Sequence, residues 1–232
     1  MKLRRVALLL LLAGCHRPAP EESRTANGFP QAARPVAKTV SGSWSNEPDR
    51  DRKGEADTVM RVAGVKPGMT VADIGAGEGY YTIRLSAKVG PKGRVLAEDI
   101  IQLFHDRLAD RVYRDGLDNV SVKLGKPTDP GLPPGSFDRI FMVHMYHEID
   151  QPYELLWNLR PALAPNGLAV VVDADRPTEA HGTPPALLDC EFGQVGYKLV
   201  ARKRMPQAGG YLALFKADGP RPDPHSMHAC KE

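Results

Sequence analysis

Val71-Ala72-Asp73-Ile74-Gly75-Ala76-Gly77-Glu78-Gly79-Tyr80 places an acid near the end of a short apolar run and then three glycines at alternate positions. Thr70 to Ile74 has strand length, and Tyr80 to Val89 spaces Ile83, Leu85 and Val89 as a helix does, so the glycines join a strand to a helix. Glycine lets a backbone turn tightly and lets a ligand approach with no Cβ in the way. A tight turn without a ligand is the plainer alternative. Asp99 lies twenty residues beyond Gly79, at the end of the next strand, where a carboxylate reaches a ribose 2′-hydroxyl. Tyr80 stands where a dinucleotide loop has its third glycine, which disfavours a nicotinamide dehydrogenase. Asp73 would also repel a pyrophosphate, whereas it can balance a cationic amino-acid ligand.

Outward from this run the chain alternates strand-length apolar runs with helical periodicity. Glu55 to Val65 puts Val59, Met60, Val62 and Ala63 on one helical face before Lys66-Pro67-Gly68 stops it. Arg94 to Ala97 reads as a second strand ending in Glu98-Asp99, Ile101 to Tyr113 as a helix, Val120 to Leu124 and Phe137 to Val143 as further strands. Tyr153 to Leu163 reads as a helix ended by Pro165-Asn166-Gly167, and Leu168 to Val172 as a strand buried on both faces. Lys198 to Met205 and Tyr211 to Lys216 close the series as a hairpin. The expected fold class is α/β, a Rossmann-like doubly wound, mostly parallel sheet with a C-terminal antiparallel hairpin.

The Asp-x-Gly-x-Gly-x-Gly spacing with Asp99 beyond it resembles the first motif of the class I S-adenosylmethionine-dependent methyltransferases, over roughly residues 46 to 217. That resemblance implies a seven-stranded sheet, S-adenosylmethionine as cofactor, and methyl transfer to a small or exposed acceptor. It further implies that Asp73 contacts the methionine part, that Gly75, Ala76, Gly77 and Gly79 pass beneath the cofactor, and that Asp99 holds the ribose hydroxyls. Many members carry an acid just after the third strand, beside the adenine. Here Gly125 is followed by Lys126, and Asp129 is the nearest carboxylate, hence the candidate substitute. Gly77 to Thr82 also resembles protein-L-isoaspartate methyltransferases, without their N-terminal serine-bearing segment.

Ligands of open parallel sheets sit beyond the carboxyl ends of the strands, which directs attention to His144-Met145-Tyr146-His147-Glu148 after the fourth strand. Methyl transfer needs donor and nucleophile aligned and, for a protonated acceptor, a proton removed. His147 is the candidate base, with Tyr146 and His144 as wall or orienting groups and Glu148 as partner of an imidazole; the alternative is that His147 or His144 only caps the strand end or packs against the cofactor. His181-Gly182-Thr183-Pro184-Pro185 is either a loop closing over the acceptor or a plain connector. Asp49-Arg50-Asp51-Arg52-Lys53 is either a lid contact or a solvated charge run. No metal site is expected: His225, His228 and Cys230 can ligate but have no supporting strand or helix. In an oxidising compartment Cys190 and Cys230 could pair.

Residues 1 to 14 hold Lys2, Arg4 and Arg5 and an apolar middle, Val6 to Leu12, too short to cross a bilayer. Leu12-Ala13-Gly14-Cys15 resembles the bacterial lipoprotein signal, which implies a lipid on Cys15 and a domain facing the periplasm or cell exterior. A cytoplasmic protein follows if the signal is not used. Beyond residue 14 the 31 basic residues of the chain fall to 28, equal to its 28 acids, so general attraction to nucleic acid is not expected. Residues 15–45, rich in Pro and Ala, read as a tether, 46–218 as the domain and 219–232 as a Pro-rich tail. A non-catalytic lipoprotein that keeps the fold to bind a nucleoside or a protein is the second functional reading. The sequence says nothing of the oligomeric state.

Overall fold

The computed structural model describes residues 22–39 and 46–232. The expected signal segment and Cys15 lie outside the described residues. Two helices, α1 (Glu47–Arg52) and α2 (Glu55–Val62), lead into β1 (Thr70–Ile74), α3 (Tyr80–Val89) and β2 (Arg94–Asp99). Then come α4 (Gln102–Arg114), β3 (Val120–Leu124), β4 (Phe137–Val143), α5 (Pro152–Leu159), β5 (Leu163–Asp173), α6 (Pro185–Gln194), β6 (Tyr197–Met205) and β7 (Gly210–Ala217). One sheet holds seven strands in the order β3-β2-β1-β4-β5-β7-β6. The pairings from β3 to β5 are parallel, and β7 runs antiparallel to both β5 and β6. This is the expected α/β sheet with its closing hairpin.

Alternation along β5 divides the core between the two faces, as a period of two requires. Ala169 and Val171 pack with Tyr153, Leu156 and Leu159 of α5 and Leu188 and Phe192 of α6. Val170 and Val172 pack on the other side with Val59 and Met60 of α2 and Leu85 and Val89 of α3. Each such aliphatic side chain, fully buried, contributes about 1.5–3 kcal/mol. Ile74 sits level with Glu98 on one neighbouring strand and Met142 on the other. That register brings the glycine turn, Glu98-Asp99 and His144 to one edge of the sheet.

Several elements differ from expectation. Helix α2 ends at Val62, because Gly64 turns with φ 66°. Strand β5 begins at Leu163 and runs through Pro165, with a register shift against β4 between Phe137 and Arg139 absorbing the irregular start. Helix α6 has no counterpart among the expected elements, since its inner face carries Glu191 beside Leu187, Leu188 and Phe192 and so breaks the apolar period.

Residues 22–39, expected as part of a tether, instead lie against the domain. Phe29 is buried and meets the Trp157 ring edge-on at 5.6 Å. The Arg34 guanidinium donates to Glu191 at 2.8 Å, with neither side chain exposed. The tail is held likewise: Arg24 donates to the carbonyls of Pro224 and Met227, the Trp157 indole to that of Pro222, and Cys190 is disulfide-bonded to Cys230. Composition misleads here because a few long-range contacts, not a periodic apolar face, fix both stretches.

Candidate functional site

A cleft of about 460 Å³ opens at the carboxyl edge of β1, β2 and β4. All three glycines of the turn have positive φ, 66° at Gly75, 55° at Gly77 and 88° at Gly79. At Gly79 a Cβ would also lie 2.4 Å from Leu108 of α4, so the third glycine serves close packing of the two helices. Asp73, at the end of β1, is buried and accepts from the Thr82 hydroxyl at 2.7 Å. Asp99 accepts from the backbone N–H of Gly77 and of Ile101, each at 2.9 Å, which ties the end of β2 to the glycine turn.

Glu98 is the residue that sequence reasoning missed. Its Oε1 is buried with no hydrogen-bond partner among the described residues, and a Cβ on Gly125 would fall 1.4 Å from that oxygen. The glycine after β3 therefore leaves room for a carboxylate delivered from β2. Burial and then the Asp99 charge push the Glu98 carboxyl up to about 7. Burial pushes Asp73 up to about 6 despite the Thr82 hydrogen bond, and raises Asp99 against its backbone donors. Three carboxyls lining one cleft, each raised by desolvation, favour a ligand that brings positive charge. Asp129 does not line the cleft; it accepts from the N–H of Gly131 in its own turn.

The Asp49 to Lys53 run belongs largely to α1, whose Glu47 and Arg50 line the cleft, while Asp51, Arg52 and Lys53 are exposed. Salt bridges hold this helix down, Arg84 with Glu47 and Asp51, and Arg111 with Glu47. The guanidiniums of Arg50 and Arg84 each sit 3.8 Å from the centre of the Tyr80 ring.

Of the three expected catalytic residues, only His144 lines the cleft. It has φ 54°, and its Nε2 lies 3.3 Å from Glu55, which also pairs with Arg50 and accepts from the Tyr81 hydroxyl. Burial alone would raise Glu55, but the His144 and Arg50 hydrogen bonds outweigh it and hold that carboxyl down to about 2. Tyr146 points into the core, where its hydroxyl donates to Glu191 at 2.8 Å. His147 is wholly buried, with Nδ1 2.9 Å from Asp173, and it does not line the cleft. A base must reach the proton it removes, so this geometry corrects the assignment to His147. Glu148, next in sequence, does line the cleft. His181 stands at the end of the loop after β5, its ring centre 5.5 Å from that of His147.

Residues 71–167 match the family described as a methyltransferase domain. A solved S-adenosylmethionine-dependent methyltransferase from Aquifex aeolicus shares 25% identity and a TM-score of 0.68, covering 77% of this chain and 97% of that one. Residues 71–167 thus resemble a methyltransferase domain, and the fold is that of the Aquifex aeolicus enzyme. S-adenosylmethionine is the methyl donor of that Aquifex aeolicus enzyme. The domain is 38% identical over 83 residues to nocamycin O-methyltransferase of Saccharothrix syringae, covering 36% of this chain and 30% of that protein. It is 28% identical over 120 residues to the ubiquinone/menaquinone biosynthesis C-methyltransferase UbiE of Hahella chejuensis, covering 50% and 47%. The chain thus spans half or less of the length of these curated relatives. The methyltransferase domain also shares its fold with the cyclase SpnF, at 16% identity and a TM-score of 0.61 over 80% of this chain and 87% of that one.

Proposed function

We propose that the protein transfers a methyl group from S-adenosylmethionine to a small-molecule acceptor. The acidic cleft at the glycine turn carries this reading: a donor with a sulfonium and an ammonium brings the positive charge that Asp73, Glu98 and Asp99 lack. Asp73 would hold the ammonium, Gly75 to Gly79 would pass beneath the donor, and Asp99 would hold the ribose hydroxyls. Glu98 over Gly125, rather than Asp129, would supply the carboxylate at the end of the third strand. Bound donor would supply an electrophilic methyl for the acceptor's lone pair, the carbon–sulfur electrons staying with sulfur, and a protonated acceptor would have to lose its proton. His144 would take that proton, with Glu55, itself paired to Arg50, orienting its ring.

Calorimetric titration of S-adenosylmethionine and S-adenosylhomocysteine into the Cys15→Ser protein tests the reading. Micromolar binding, about 8 kcal/mol, that is lost in Asp73→Ala supports it. Absence of binding by folded protein would favour the second reading, a lipoprotein that keeps the fold to bind something else.

We further propose that Cys15 carries lipid and that the domain lies outside the cytoplasm. The Cys190–Cys230 disulfide supports an oxidising compartment. Metabolic labelling with a fatty acid should mark the wild-type chain and not Cys15→Ser; equal labelling of both would sink the assignment.

A further inference from the structure

His147 is held for something other than proton transfer into the cleft. Its Nδ1 lies 2.9 and 3.1 Å from the two oxygens of Asp173, and a carboxylate accepts there, so Nδ1 carries the proton. Asp173 is itself fixed, accepting from the Thr183 hydroxyl at 2.7 Å and the Ala174 N–H at 2.8 Å. This leaves the lone pair on Nε2, a fully buried atom with no hydrogen-bond donor among the described residues. Leaving such an atom unsatisfied is costly. Nε2 sits 3.9 Å from a Glu148 oxygen, and His181, whose Nδ1 is likewise buried and unbonded among the described residues, presents its ring to the same space. Ligand atoms of His147, Glu148 and His181 all lie within 4.8 Å of one another.

We propose that His147, His181 and Glu148 bind one divalent transition-metal ion of the zinc class. Two imidazoles and a carboxylate are the borderline donor set that zinc takes, and hard cations such as magnesium do not favour imidazole. The Asp173–His147 pair is the carboxylate that orients a ligating histidine and raises its basicity. Around a tetrahedral ion with bonds of about 2.0–2.2 Å, ligand atoms lie roughly 3.4 Å apart, so the three side chains close by about an ångström on the ion. Of the three, His181 and Glu148 are half-buried and His147 is buried. Three protein ligands would leave a fourth position open, and one of the three, Glu148, also lines the cleft. The site stands whether or not the protein transfers methyl groups.

The test is titration of Zn²⁺ alone into chelator-treated, full-length Cys15→Ser protein, followed by calorimetry and by melting temperature. One ion per chain and a raised melting temperature are expected. Asp173→Asn should weaken binding about 10- to 100-fold, and His181→Ala should weaken it at least as much, with His228→Ala in the tail as an unchanged control. Since His147→Ala removes a buried side chain, His181→Ala on its loop is the variant that keeps its fold; Co²⁺ bound to the wild type should show visible absorption that this variant lacks. No Zn²⁺ binding by folded wild type would overturn the proposal. So would binding that His181→Ala leaves intact, or that His228→Ala abolishes.

Discussion

The cleft at the glycine turn and the region around His144 to Glu148 are built in different ways. The first takes Asp73 and the glycine turn from one run of ten residues and Glu98-Asp99 from the next strand, all on adjacent parallel strands. Around His144 to Glu148, by contrast, the partners come from across the chain: Glu55, Asp173, His181, Glu191 and Arg34. A contiguous site is set by a local turn, while a dispersed one depends on long-range packing. The first should therefore tolerate damage to the second.

The largest effect expected is on that dependence. Arg34→Ala leaves Glu191 buried without its cation, which costs about 3–5 kcal/mol, and should lower the melting temperature while S-adenosylmethionine still binds the folded protein. If donor binding falls in step with stability, the two regions are not separate. Cys190→Ser in the same seam opens a link between residues 40 apart and should cost about 2–4 kcal/mol, read by denaturant titration. At the glycine turn the sign reverses. Asp73→Asn should abolish most donor affinity, a loss of about 1.5–3 kcal/mol for a charged hydrogen bond, yet stabilise the unliganded protein at pH 8.

The pH dependence follows from the same carboxyl. Its folded value of about 6 lies above the ordinary 3.8, so the native state holds more protons than the unfolded one between those values. Stability of the unliganded protein therefore falls as pH rises through that window, where Asp73 charges in a buried place. Donor affinity should run the other way, rising through pH 6 and levelling above it, as calorimetry at several pH values would show. The smallest effect is at Asp129: its change to Ala should leave donor binding within about 0.5 kcal/mol of wild type, and a larger loss would restore it to the site.

The legibility of the sequence divides along the same line. Asp73, the glycines and Asp99 could be read because a turn of this kind is a local event, and the strands because apolar runs alternate with helical ones. Glu98 could not, since nothing in one sequence says that its side chain crosses to Gly125; that glycine after a strand was the available hint. His147 and His181 are 34 positions apart in the sequence, and only the meeting of β4 and β5 brings their rings together. Tyr146 looked like a cleft residue because it adjoins His147, but the short helical turn over Tyr146–Glu148 sends consecutive side chains to different sides. The strap over 22–39 stayed hidden for a related reason: Arg34 has meaning only beside Glu191.

Glu98 and Gly125 also constrain how such a chain can change over time. Because a side chain at 125 would occupy the place of the Glu98 carboxylate, the two positions form an exclusive pair. Ancestry can move the charge from one strand to its neighbour only through an intermediate that carries a small residue at both. Relatives should accordingly sort into two kinds, those with a long acid at 98 over glycine at 125, and those with a small residue at 98 and their acid on the third strand. A chain holding both would betray a rearranged strand end.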